Sequence, residues 1–149
     1  MNTNQLSAKI RLKDSHVQFE CVVEGQQPVM VDYFPPLGNR KGSTSLELLL
    51  FSLSSCLGTT FCAVARGRMK KQIDSLVIHS EGDRKEGHPA SFKTIRLFLR
   101  IDSPDMNAEE AASVLSAAEE SLCPVADMIR GNVVLEMQYQ VGTGPLIML

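Results

Sequence analysis

The stretch that decides the fold runs from Thr44 to Lys71, TSLELLLFSLSSCLGTTFCAVARGRMKK. Thr44 and Glu47 form a capping-box pattern, in which each side chain accepts the backbone N–H of the other residue. The stretch closes on arginine and lysine residues, which suit the negative end of a helix dipole. It therefore predicts one long helix with Cys56 near its middle.

Apolar residues occur on every side of this predicted helix rather than in one stripe. A helix of this kind must be covered on all sides. Residues 46–65 also have the length of a membrane span, about 20 residues, and hold a single charge, Glu47. Several serine and threonine residues within the stretch, and amphipathic strands on either side of it, favour a buried central helix over a membrane span.

The length and the charge of the chain limit its class. A chain of 149 residues predicts one domain over residues 1–149. A net charge of −2 gives no electrostatic basis for binding nucleic acid or an anionic membrane. The opening MNTNQLSAKI lacks the apolar run of a signal peptide, so we expect a cytoplasmic protein. There, four cysteines are expected to be free, redox-active or metal-bound rather than in structural disulfides.

Period-two alternation predicts strands before and after the long helix. Their predicted bounds are residues 8–12, 17–23, 29–33, 74–81, 92–101 and 133–141. The first three are expected to form an antiparallel meander. Two proline and two glycine residues in FPPLGNRKGS, residues 34–43, predict a loop that carries Arg40, and residues 82–90 predict a polar turn.

Two shorter helices are predicted between the last two strands. Asn107 and Glu110 repeat the capping-box pattern at the start of the first. Proline suits the first position of a helix, so the second is expected to begin at Pro124 with Cys123 as its N-cap, and to end near Arg130. The apolar tail GTGPLIML is expected to dock, with a second subunit as one candidate surface.

The element order β-β-β-α-β-β-α-α-β predicts an α+β fold with a largely antiparallel sheet. One small sheet does not cover a long helix that is apolar all round. The sequence therefore predicts a homodimer in which two such helices bury each other.

The cysteines are the candidate reactive groups. Cys56 and Cys62 lie six residues apart and point in different directions on a helix, so they are not expected to bridge. No CxxC motif occurs and the three histidines are scattered, so neither a metal site nor a cofactor is predicted. Thiolates are the reactive form, and the helix dipole is expected to lower the pKa of Cys123. A core role for Cys56 and a capping role for Cys123 remain alternatives.

Two motifs together resemble the OsmC/Ohr family. They are S-x-E-L-L-x-x-x-L-x-x-C at Ser45–Cys56 and C-P-V-A-x-x-I-R-G-N at Cys123–Asn132. The length and the element order match as well, so the resemblance covers nearly the whole chain. It implies that family's fold, which forms an intertwined homodimer with active sites at the interface.

The resemblance also implies a thiol peroxidase. Cys56 would attack an organic hydroperoxide, Cys123 would resolve the oxidised product as a disulfide, and an external dithiol of lipoyl type would reduce that disulfide. Arg40 would hold the Cys56 thiolate and Glu47 would orient Arg40. No cofactor, nucleic acid or membrane is implied.

This chain departs from the peroxidase branches of that family near the helix start. Glu47 is one residue closer to Cys56 than is common there, and Leu46 stands where those branches have proline. The capping box explains Glu47 without catalysis, and Arg40 is alternatively a solvated loop residue. The alternative function is a non-catalytic OsmC-like dimer that binds small molecules or lipids and has inert cysteines.

Overall fold

The structure is a computed structural model that describes residues 5–149. It forms two compact units, the first ending at Leu49 and the second covering residues 50–149. The helix α1, Ser45–Gly67, begins in the first unit and continues into the second. Each unit has a sheet of its own.

The sheet of the first unit is the predicted meander. Its strands are β1, Lys9–Leu12, β2, Phe19–Val22, and β3, Val29–Val31, and both pairings are antiparallel. Each strand is shorter than predicted. After β3 the chain continues as the predicted loop without regular structure, up to the first turn of α1.

The beginning of α1 is confirmed and its predicted end is wrong. The Thr44 N–H donates to Glu47 Oε2 at 2.7 Å, and the Glu47 N–H donates to Thr44 Oγ1 at 3.2 Å, which completes the capping box. The helix ends at Gly67, and it does not reach Lys71 because Lys70 takes a left-handed conformation, with φ 59°. The Lys71 N–H then donates back to the Ala65 carbonyl at 2.9 Å, six residues earlier, after the chain has left the helix.

The sheet of the second unit has the order β4-β5-β6-β7. Its strands are β4, Ser75–Arg84, β5, Phe92–Asp102, β6, Val134–Val141, and β7, Ile147–Met148. The pairings β4–β5 and β6–β7 are antiparallel, whereas β5–β6 is parallel. The α+β class is confirmed. The parallel pair arises because the helices between β5 and β6 carry the chain back to the starting end of the sheet.

Two details of this sheet differ from the prediction. β4 continues through Gly82 to Arg84, where a turn was expected. The Phe92 ring occupies the place that a Cβ atom of Gly82 would need, so a glycine inside the strand leaves room for this ring. The apolar tail also forms β7, and Tyr139 of β6 pairs with Ile147.

The helices between β5 and β6 begin as predicted. They are α2, Ala108–Ala117, a π-helical turn, Ala118–Leu122, and α3, Pro124–Ile129. The capping box of α2 is confirmed, since the Glu110 N–H donates to Asn107 Oδ1 at 2.9 Å and the Asn107 N–H donates to Glu110 Oε2 at 3.0 Å. The π-helical turn was not predicted. Cys123 is the N-cap of α3.

The core of the second unit is apolar and includes one side of α1. Leu53, Leu57 and Phe61 of α1 and Ile95 and Ile101 of β5 have no exposed surface. The opposite side of α1 is open, and its Phe51 is 59% exposed. By length and composition α1 is apolar enough to cross a membrane, a criterion that core helices of folded proteins also meet.

Candidate active site

The structure places the four predicted site residues in two pairs, one in each unit. Arg40 and Glu47 meet in the first unit. Cys56 and Cys123 meet in the second unit. The catalytic roles of all four residues stay predictions.

Arg40 and Glu47 form a bidentate ion pair. Arg40 Nη1 donates to Glu47 Oε2 and Arg40 Nη2 donates to Glu47 Oε1, both at 2.6 Å. Glu47 Oε2 also accepts the backbone N–H of Thr44, so one carboxylate both caps α1 and binds the guanidinium. The guanidinium lies over the Phe34 ring, 4.5 Å from its centroid. The capping role and an orienting role are therefore compatible in the same side chain.

Both members of this pair are charged at neutral pH. The hydrogen bond from Arg40, followed by the bond from the Thr44 N–H, lowers the pKa of Glu47 to about 2. The hydrogen bond to Glu47 raises the pKa of Arg40. The pair is a fixed charge arrangement at the first turn of α1.

Asp32 organises the loop that carries Arg40. Its carboxylate is 2% exposed and accepts the N–H groups of Tyr33, Asn39 and Lys41 at 2.7, 3.1 and 2.8 Å. These bonds, led by that from Lys41, hold the pKa of Asp32 below its usual value. Arg40 adopts a left-handed backbone, with φ 57°, and its N–H donates to the Tyr33 carbonyl at 2.9 Å.

The period-two pattern predicts a strand that includes Asp32 and indicates no role for its carboxylate. The available signal was its position, since Asp32 follows an apolar run and lies two residues before a loop rich in glycine and proline. Gly38 is part of the same arrangement. A Cβ atom there would overlap the Asp32 carboxylate and the Tyr33 backbone.

Cys56 and Cys123 come from α1 and from the start of α3. Cys56 is half-buried, and its carbonyl accepts the Thr60 hydroxyl at 2.9 Å. Cys123 is 2% exposed, and its Sγ accepts the Ala126 N–H at 3.4 Å. The two thiols lie near enough that Cys56 contributes to the raised pKa of Cys123. Elements far apart in the sequence thus bring the two sulfurs together.

The expected lowering of the Cys123 pKa is wrong. Burial, followed by the interaction with Cys56, raises the pKa of the Cys123 thiol. The hydrogen bond from the Ala126 N–H acts in the opposite direction but is outweighed. The reason is that a thiolate in apolar surroundings loses more hydration than a helix start returns.

The other two cysteines lie away from this pair. Cys21 is half-buried in β2 and is paired with Ile10 and Val29. Cys62 lines an open, largely apolar groove of about 680 Å³ on the second unit. The groove is formed by one face of α1 and by β4, and its lining residues are Phe51, Ser54, Ser55, Gly58, Thr59, Cys62, Leu76 and Ile78.

The chemistry available at the cysteine pair is thiol and disulfide exchange. All four cysteines are free. No cluster of three or more histidine, cysteine, aspartate or glutamate side chains within residues 5–149 is arranged to hold a metal ion. Two neighbouring thiols can form a disulfide once one of them is oxidised.

Comparison with protein families gives one match. The family described as OsmC-like protein matches residues 38–138, which include all four predicted site residues. A search of curated proteins finds no match.

Several solved structures have the same fold. A hypothetical protein from Aquifex aeolicus VF5 is 19% identical, with a TM-score of 0.80 over 93% of this chain and 96% of that one. An organic hydroperoxide resistance protein OsmC from Legionella pneumophila is 20% identical, with a TM-score of 0.70 over 95% and 100%. The organic hydroperoxide resistance protein OhrB of Bacillus subtilis is 20% identical, with a TM-score of 0.63 over 91% and 98%. At these identities the similarity establishes the fold.

Proposed function

The chain belongs to the OsmC-like protein family, and we propose that it is a cysteine-based peroxidase that reduces organic hydroperoxides in oxidative-stress defence. The contact between the Cys56 and Cys123 thiols carries this proposal, because a two-cysteine peroxidase needs its two sulfurs within reach of each other. Two proteins of the same fold are named for resistance to organic hydroperoxides, which agrees with this substrate class.

The proposed reaction has three balanced steps. The Cys56 thiolate attacks one oxygen of the hydroperoxide, the O–O bond breaks, and the departing alkoxide takes up a proton to give an alcohol. Cys56 is then a sulfenic acid. The sulfur of Cys123 attacks the sulfur of Cys56, which forms a disulfide and releases water. An external dithiol of lipoyl type reduces the disulfide and is itself oxidised to a disulfide.

Within this proposal Arg40 supplies the cation that favours the Cys56 thiolate, and Glu47 orients Arg40. The bidentate pair supports the orienting role, because it fixes the guanidinium plane with two short hydrogen bonds. An arginine has five N–H groups, and this pair uses two of them.

The proposal includes a cytoplasmic homodimer in which residues 1–149 form one functional domain. The exposed apolar side of α1 supports the dimer, because a helix face with an open Phe51 is stabilised when a second copy covers it. Free thiols agree with a reducing compartment. Sedimentation at micromolar concentration is expected to give a dimer.

The groove supports a second candidate, a dimer that binds small molecules or lipids and has inert cysteines. Its lining is mainly apolar, and the buried Ser54 Oγ has no hydrogen-bond partner within residues 5–149. An apolar ligand with one polar group suits such a surface. A binder of this kind retains four unreactive thiols in the presence of hydroperoxide.

Single-turnover oxidation distinguishes the two candidates. Reduced protein is mixed with excess cumene hydroperoxide, and free thiols and intact mass are followed with time. A peroxidase loses two thiols and about two daltons per subunit, mapped to Cys56 and Cys123. Cys56→Ser is expected to abolish turnover, whereas Cys123→Ser is expected to form one sulfenic acid per subunit without recycling. Retention of all thiols in the wild-type protein excludes the peroxidase and favours the binder.

A further inference from the structure

The segment before Cys123 has a break in its hydrogen bonding. In the π-helical turn the Cys123 N–H donates to the Ala118 carbonyl at 2.9 Å, five residues earlier. The next donor is residue 124, which would serve the carbonyl of Glu119 in the π-helical pattern or that of Glu120 in the α-helical pattern. Residue 124 is proline and has no N–H to give.

Arg130 supplies the donor that Pro124 lacks. Its Nη2 donates to the Glu119 carbonyl at 2.7 Å and to the Glu120 carbonyl at 3.0 Å. Its backbone N–H donates to the Ala126 carbonyl at 3.1 Å, so the same residue closes the end of α3. Arg130 therefore connects the end of α3 to the turn that precedes it, and Cys123 lies between these two points.

We propose that Arg130 is a positioning residue for disulfide formation, holding the backbone before Pro124 so that the Cys123 thiol stays beside Cys56. This inference rests on the proposed function, in which Cys123 attacks the oxidised Cys56. Arg130 acts through the backbone and not on the sulfurs. The reaction that it aids joins the two sulfurs, with the hydroxyl of the sulfenic acid and the proton of the Cys123 thiol leaving as water.

The test separates the two oxidation steps in a Cys21→Ser/Cys62→Ser background. Arg130→Met removes the donor and keeps the apolar stem, and it is expected to slow disulfide formation by about tenfold or more. Its rate of Cys56 oxidation is expected to stay within about twofold of the parent, since the substitution leaves Cys56 in place. Arg130→Lys, which retains a donor, is expected to recover part of the rate.

Arg66→Met is the matched control. Arg66 Nη2 also donates to a backbone carbonyl, that of Ile73, at 2.9 Å. It is expected to leave both oxidation steps at the parent rate. Thermal unfolding of each variant shows whether it is folded at the assay temperature. If Arg130→Met is unfolded there, the rate of disulfide formation is measured on Arg130→Lys instead.

A second arm needs no hydroperoxide. An aromatic disulfide reagent first attaches to Cys56 and releases one coloured thiolate, and attack by Cys123 then releases a second while forming the protein disulfide. Arg130→Met is expected to slow only the second release. If the parent protein does not react with hydroperoxide but the two variants show this difference, the peroxidase proposal fails and the positioning role stands.

Three outcomes overturn the positioning role. The first is a second release from Arg130→Met at the parent rate. The second is an equal slowing of both steps, which marks Arg130 as a general stabiliser of the fold. The third is a Cys21→Ser/Cys62→Ser parent protein that gives only one coloured thiolate, because Cys123 then does not reach Cys56.

Discussion

Two helices of this chain begin in the same way and differ in charge. The Glu47 N–H donates to Thr44 Oγ1 at 3.2 Å at the start of α1, and the Ala126 N–H donates to Cys123 Sγ at 3.4 Å at the start of α3. Arg40 lowers the pKa of Glu47 to about 2 beside the first start, whereas burial raises the pKa of Cys123 at the second. A helix start therefore does not decide ionisation on its own, since the nearest partner and the loss of hydration decide it.

This difference in charge between the two helix starts agrees with different roles for Cys56 and Cys123. A raised pKa keeps Cys123 as a neutral thiol, and under the proposed function such a thiol does not compete for hydroperoxide because the thiolate is the nucleophile. In the proposed reaction Cys123 has to act only after Cys56 has been oxidised. For Cys56, the proposal instead assigns the charged Arg40–Glu47 pair at the start of α1, whose cation favours the thiolate.

The largest expected effect comes from disrupting the loop that holds the charged start. Gly38→Ala places a Cβ atom against the Asp32 carboxylate and the Tyr33 backbone, so we expect a loss of about 3 kcal/mol in the free energy of unfolding. Gly67→Ala is the control, because nothing lies within 4 Å of its Cβ position. Urea denaturation measures both. Equal stability of the two variants would show that the Asp32 loop adapts and does not fix Arg40.

The next effect concerns the reactivity of Cys56. Arg40→Ala removes the proposed cation, so the rate of Cys56 oxidation at neutral pH is expected to fall by about tenfold. Lys41→Ala removes one charge from the same loop and is expected to change the rate by less than about twofold. Stopped-flow oxidation at several pH values measures both variants. If Arg40→Ala reacts like Lys41→Ala, another residue activates Cys56.

Local patterns in the sequence were sufficient for both helix starts. The capping box of Thr44 and Glu47 and the Cys123-Pro124 pair are read within four residues, and the structure confirms both. The carboxylate of Asp32 was missed because its donors are spread along the loop up to Lys41. A periodic pattern of apolar residues does not encode a loop that is held by hydrogen bonds to one carboxylate.

Long-range features were missed for the same reason. The parallel pairing of β5 with β6 depends on where the intervening helices return the chain, not on either strand alone. The pKa of Cys123 depends on burial by residues distant in sequence. The π-helical turn accepts hydrogen bonds from a guanidinium that lies beyond Pro124.

A smaller effect sharpens the charged side of the comparison. The pKa of Glu47 is lowered from 4.5 to about 2, so its contribution to stability is present above pH 4.5 and is lost as the pH falls toward about 2. Glu47→Gln keeps a capping amide and removes the charge. We expect it to cost about 1 kcal/mol at neutral pH, a value reduced by solvent screening, and progressively less as the pH falls through about 2.

Glu110→Gln is the matched variant in the second capping box. Its carboxylate also has a lowered pKa, caused first by Lys71 and then by the Asn107 N–H. The same sign and a smaller size are expected, because the Arg40 pair is bidentate and the Lys71 pair is not. Urea denaturation between acid and neutral pH measures both. A cost for Glu47→Gln that does not change with pH would contradict an ionised role for Glu47.

The smallest effect tests the neutral side of the comparison and has the opposite sign. The folded-state pKa of Cys123 is raised above its ordinary value of 9.0. The unfolded chain therefore loses its proton first as the pH rises, and the contribution of Cys123, complete below pH 9.0, is lost above it. Cys123→Ser keeps a capping atom but does not ionise. On the alkaline side we therefore expect its stability to fall less than that of the wild type, and the difference to be under about 1 kcal/mol. Cys62→Ser corrects for the loss of one thiol from the unfolded chain. Parallel alkaline stability curves for Cys123→Ser and the wild type would mean that burial does not oppose ionisation at α3, and the two helix starts would then differ only in the residues that cap them.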